Sequence, residues 1–124
     1  MAWTGILLNQ NPQWIERLRA EQDRVLGDRT DLGLDDLRAM TELEWVIKET
    51  LRLYPPVWSL GRRVVEDDLV EGYLLPKDAL VFISPWAIHR LPEFWADPLA
   101  FDPDRWLTED PRRAHGSYLP FSMG

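Results

Sequence analysis

Two adjacent prolines, Pro55 and Pro56, divide this chain into two regimes. Proline lacks an amide hydrogen and clashes with the preceding turn, so no helix runs through the pair. Upstream, apolar residues recur at helical spacing. Downstream, "VWSLGRRVV" and "DALVFIS" are β-branched and aromatic runs suited to strands. The chain therefore reads as α+β, helices first and a small sheet after.

The segment "NPQWIERLRAEQDRVLGD" predicts a helix over 11–27, with Asn11 as cap, Pro12 at the first helical position and Gly27 at the end. Trp14, Ile15, Leu18, Val25 and Leu26 form its apolar side, while Glu16, Arg17, Arg19 and Asp23 are expected to face water. A short helix is expected at Leu34–Ala39. Thr41 with Glu44 is a capping-box pattern that opens the second main helix, over 41–54. Its first buried face reads Leu43, Val46, Ile47, Thr50, Leu51 and Tyr54. A small sheet is predicted over 57–84, a helical turn or two over 85–91, and a long ordered coil over 92–124. Phe94, Trp95, Phe101 and Trp106 pin that coil. Seven tryptophans supply more apolar surface than two helices and a small sheet cover. That excess predicts a missing remainder of the fold and poor solubility.

Composition removes several chemistries. A net charge of −7 argues against nucleic acid and anionic membrane surfaces as partners. Cysteine is absent, which excludes disulfides, thiol catalysis and thiolate metal sites within these residues. His89 and His115 have no ligand spacing between them, so no metal site of the chain's own is expected. The opening "MAWTGILLNQ" is too short to span a bilayer and lacks the features of a secretory signal. A cytoplasmic, soluble protein is the expectation; an anchor preceding Met1 would leave membrane attachment open.

Within "WVIKETLRLYPPVW", Glu49 and Arg52 stand three residues apart. At about 100° per residue they lie roughly 60° apart on the helix, away from the Leu43, Val46 and Ile47 face. One reading is a solvated i,i+3 ion pair contributing a fraction of a kcal/mol. The other follows from Trp45 and Leu53, which share their side and point to a helix covered on both faces. A covered carboxylate has more acceptor capacity than one arginine uses, so a second cation is wanted. Arg105, in "FDPDRW", is the candidate.

Glu-x-x-Arg followed by Leu-Tyr-Pro-Pro, then "GRRVVEDD", "GYLLPKDALVFISPWAIHR", "FDPDRW" and "YLPFSMG", resembles the haem-thiolate monooxygenases, the cytochrome P450 family. Glu-x-x-Arg alone is a weak signal; five motifs in order are a strong one. The resemblance implies an α+β fragment of a mainly-α cytochrome P450 fold, residues 1–124 forming part of one domain. It makes Glu49, Arg52 and Arg105 the family's structural triad. It matches Arg62 to the arginine that pairs with a haem propionate; a one-residue slip would exchange Arg62 and Arg63, and strand alternation lets only one point inward. Val57, Trp58, Ser59 and Leu60 match a segment lining the substrate pocket. Phe121 and Gly124 match the start of the haem loop, Phe-x-x-Gly-x-x-x-Cys-x-Gly, whose cysteine lies past the last residue. His89 is read as structural. "AWTGILLNQ" resembles the tail of the oxygen-activating helix.

The family reaction implied is insertion of one oxygen atom from O2 into a small organic substrate, with two electrons from a redox partner and haem as cofactor. No residue of the chain is assigned a catalytic or metal-ligating role, so the chain by itself is expected to be inactive. The alternative is a truncated, non-enzymatic interaction or decoy protein that retains the framework.

Overall fold

Four helices come first: α1 (Ala2–Gln10), α2 (Pro12–Leu26), α3 (Leu34–Ala39) and α4 (Thr41–Leu53). The computed structural model describes residues 2–113 and 115–121. Asn11 holds the N-cap position of α2, its carbonyl accepting from Trp14 N at 3.0 Å, but its side chain makes no capping bond there. The side-chain amide donates to Leu7 O at 2.8 Å and the backbone N–H to Leu8 O at 3.0 Å, which closes α1. Gly27 ends α2 at φ 56°, a conformation that favours a residue without Cβ.

The start of α4 departs from the sequence expectation. Met40, not Thr41, is the N-cap, and no capping box forms there. A carboxylate from α2 takes over: Glu21 accepts from Glu42 N at 2.7 Å and Leu43 N at 2.9 Å, with the Thr41 hydroxyl at 3.4 Å. Two orphan amides and the positive end of the helix dipole thus meet a buried anion from a different helix. Arg17 also departs from its expected water-facing role. It stacks on Trp14 at 3.8 Å and bridges Glu42 and Asp104, with its contacts to both at 2.9 Å.

After Pro55 and Pro56 the strands form two separate two-stranded sheets where one small sheet was expected. β1 (Leu60–Arg63) pairs antiparallel with β4 (Leu80–Ile83), Arg62 opposite Val81 and Arg63 opposite Leu80. β2 (Asp68–Val70) and β3 (Tyr73–Leu75) form a tight hairpin between them. Its two-residue turn holds Glu71 at φ 51° and Gly72 at φ 84°, the left-handed pair that matches strand twist. Ser84 then caps α5 (Pro85–Ile88), accepting from Ala87 N and donating to Trp58 O at 3.1 Å. Irregular chain follows, broken by a 3-10 turn at Pro103–Trp106.

The core sits on the side of α4 where the charges are. Val46, Glu49, Thr50, Arg52 and Leu53 are buried, against Trp95, Pro103, His89 and Leu119. Of the face expected to be buried first, Val46 and Thr50 are buried, while Ile47 is exposed and Leu43, Leu51 and Tyr54 are half-buried. Those last four residues line two grooves. One, of about 380 Å³, lies between Trp3, Tyr54 and Trp86; the other, of about 400 Å³, runs beside Leu34 and Leu37.

Candidate functional site: a buried carboxylate between two guanidinium groups

Glu49 projects from the third turn of α4 into a region with no solvent exposure. Its Oε1 accepts from Arg52 Nη2 at 2.9 Å, Arg105 Nε at 2.9 Å and Asp102 N at 3.0 Å. Its Oε2 accepts from Arg52 Nε at 3.0 Å and Trp106 Nε1 at 3.1 Å. Five donors converge on a group with about four lone-pair directions. The carboxylate is saturated.

Arg52 is equally complete. Its five N–H groups meet five acceptors: both Glu49 oxygens, His89 O at 2.8 Å, Pro98 O at 2.7 Å and Ala100 O at 3.0 Å. One fully buried side chain therefore ties α4 to the end of α5 and to the coil after it. Arg105, whose side chain is 9% exposed, arrives from the 3-10 turn and also donates to Ala96 O at 2.8 Å. The structure thus brings Glu49, Arg52 and Arg105 into contact across more than fifty residues of sequence. A pair of this kind adds little net stability, yet removing one member strands a charge. Its effect is to fix how the coil lies on the helix.

Sequence reasoning missed two of the five donors, the Asp102 amide and the Trp106 indole. A backbone amide has no sequence signature. Trp106 sits beside Arg105 in "DPDRW", and an indole N–H next to a buried carboxylate is a natural partner, so that one had a signal. Around the clamp lies an aromatic cluster. The Tyr118 ring packs on Trp106 at 4.8 Å and on His89 at 5.4 Å, and its hydroxyl donates to Lys48 O at 3.2 Å. Burial raises the Tyr118 pKa, and the Glu49 charge adds to the rise.

The other residues singled out in the sequence lie elsewhere. Arg62 and Arg63 are both exposed on β1; Arg62 donates to Gly61 O at 3.2 Å and Arg63 lies 3.9 Å from Asp78. Val57, Ser59 and Leu60 are half-buried and Trp58 is 69% exposed. Phe121 is 63% exposed, and Gly124 lies outside the described residues. Among the described residues, no three of His, Asp and Glu gather as a metal site, and no helix is long and apolar enough to cross a membrane.

Glu49 is thus clamped by its own helix and by the Arg105–Trp106 turn. A family model described as Cytochrome P450 matches residues 1–124, and the chain belongs to that family. It is similar to the iridoid oxidase of Catharanthus roseus, 38% identical over 98% of this chain and 24% of that protein. The cyclooctatin synthase of Streptomyces melanosporofaciens is 41% identical over 100% of this chain and 27% of its own length. Cytochrome P450 4V2 of Rattus norvegicus is 38% identical over 98% and 24%. The chain thus spans about a quarter of the length of these curated relatives.

Proposed function

We propose that these residues are the structural frame of a haem-dependent monooxygenase acting on a small organic substrate, with dioxygen and an electron-transfer partner. The observation that carries the reading is the saturated Glu49, Arg52 and Arg105 network inside a chain that matches the family throughout. In this role the network acts at a distance from chemistry. It holds the coil after α5 on α4.

The residues present fit part of a haem site. Arg62 carries an exposed guanidinium, the chemistry that recognises a propionate carboxylate, and Phe121 offers an exposed ring. No thiolate is available, because the sequence contains no cysteine. When bound through a thiolate, haem iron supplies the activation of dioxygen. On this reading Arg62 orients the cofactor's carboxylate edge, and Val57, Trp58, Ser59 and Leu60 contribute apolar substrate wall just after the helix stop. The 124 residues alone do not turn over.

Adding haem to the purified chain, reducing it and exposing it to carbon monoxide tests this directly. The expected spectrum lacks a thiolate-type Soret band; such a band from the chain alone overturns the reading. Sequencing the transcript past the codon of Gly124 separates the alternatives. An in-frame cysteine at the motif position supports a monooxygenase, and an authentic stop supports a non-enzymatic interaction protein.

A further inference from the structure

His89 is wholly buried and belongs to none of the clamp's ion pairs. Its two ring nitrogens are both engaged, by groups whose roles are not interchangeable. The Leu119 amide can only donate, and it lies 2.7 Å from Nε2, so Nε2 carries a lone pair. The Arg52 carbonyl can only accept, and it lies 3.0 Å from Nδ1, so Nδ1 carries the proton. Geometry alone therefore selects one neutral tautomer. The Arg52 side chain returns the contact by donating to the carbonyl of His89, so the two residues clasp each other.

This clasp also finishes α4. Arg52 O and Leu53 O belong to the last turn, whose carbonyls have no partner within the helix. His89 takes the first, and the Arg90 guanidinium donates to the second. The Tyr118 ring packs against the imidazole at 5.4 Å with its plane tilted by 29°, and Trp95 meets it edge-on at 6.3 Å. Of the charged groups about it, Arg52 and Arg90 disfavour a second proton on the ring, Glu49 is saturated by its own donors, and the Tyr118 hydroxyl is bonded to Lys48 O.

We propose that His89 is a positioning residue: as the neutral, Nδ1-protonated ring it pins Leu119, and with it the 115–121 segment, to the C-terminal end of α4. A second ring proton would set an N–H against the Leu119 N–H and release that segment while the rest of the core stands. That the segment continues toward haem rests on the functional reading above. The pin rests on geometry, and its test needs no haem.

The chain labelled with 15N supplies two readouts by NMR: the ring nitrogen shifts of His89, and the exchange protection of the Leu119 amide corrected for its intrinsic rate. His89→Gln keeps an acceptor near the Nε2 position and loses the donor; His89→Asn keeps the donor and loses the acceptor. The expected result is a proton on Nδ1, Leu119 protection reduced about tenfold or more in His89→Asn, and most of it retained in His89→Gln. Acidification through about pH 4 should release Leu119 in the unmodified chain and not in His89→Gln. A proton on Nε2, or equal Leu119 protection in all three proteins, overturns the proposal. Should either variant fail to fold, the tautomer and the acid response of the unmodified chain still decide it.

Discussion

Arg105 offers the sharpest test of the clamp, because it can be removed while the rest of the network stays. In Arg105→Met, Glu49 keeps both Arg52 contacts, the Asp102 amide and the Trp106 indole. What is lost is one charge-assisted bond of 2.9 Å and the donor to Ala96 O, with a marginal 3.5 Å contact to Asp97 O and a 4.0 Å approach to the Asp102 carboxylate that add little. A charged hydrogen bond contributes about 2 kcal/mol and a partly buried carbonyl left unpaired costs about 1, so the loss should be about 3 kcal/mol. With a urea m-value of about 2 kcal/mol per molar, the unfolding midpoint followed by tryptophan fluorescence falls by roughly 1.5 M. Glu49→Gln leaves two guanidinium groups without an anion and should cost more, on the order of 3 to 5 kcal/mol. The double variant should lose less than the sum of the two, by about 1 to 3 kcal/mol, because both single changes break the same contact. Arg105→Lys should recover only part of the loss, since one ammonium cannot reach carboxylate and carbonyl in the same fork. A change under about 0.5 kcal/mol for Arg105→Met, the size of an ordinary surface substitution, would refute the reasoning.

The other expectations concern the surroundings of the clamp. Glu21→Gln should weaken α4 from its first turn, by about 1 to 2 kcal/mol, with faster exchange at the Glu42 and Leu43 amides; unchanged exchange there would show that the long-range cap is idle. Burial, and then the nearby Arg52 and Arg90 charges, push the His89 pKa down from 6.5 to about 4, so the unfolded chain binds the proton that the folded one refuses. Stability should be full above about pH 6.5 and fall by roughly 3 kcal/mol as the pH drops toward 4, a slope that urea titrations would find missing in His89→Gln. Tyr118→Phe keeps the ring packing and loses only the bond to Lys48 O, so it should cost about 1 kcal/mol; a loss above about 2 would mean the hydroxyl has a further role. Trp3, Trp58, Phe82 and Trp86 are exposed, so the isolated chain should self-associate with rising concentration in light scattering, and Trp58→Ser with Phe82→Ser should reduce it.

What local pattern could show here is class and punctuation: a change of periodicity at Pro55 and Pro56, and the α+β character on either side. Local pattern could not show which face of α4 is the inner one. Apolar count favours the face of Leu43, Val46, Ile47 and Leu51, of which Val46 is buried. The inner face centres instead on Glu49 and Arg52, because the coil after α5 brings carbonyls and an arginine to meet them. Burial of a charge is decided by its partners, and partners fifty residues away have no periodicity. The same reason hid Glu21, which looks like any polar residue on a water-facing helix turn until the amides of α4 arrive above it. It also explains why the one sheet expected over 57–84 is two: a strand run shows its own propensity and not its neighbour, and the Glu71–Gly72 turn pairs β2 with β3 while β1 pairs with β4. The motifs named the clamp's charged members by their order in the chain. Only the folded arrangement shows the carboxylate saturated, so that loss of Glu49 leaves five donors without their acceptor at once.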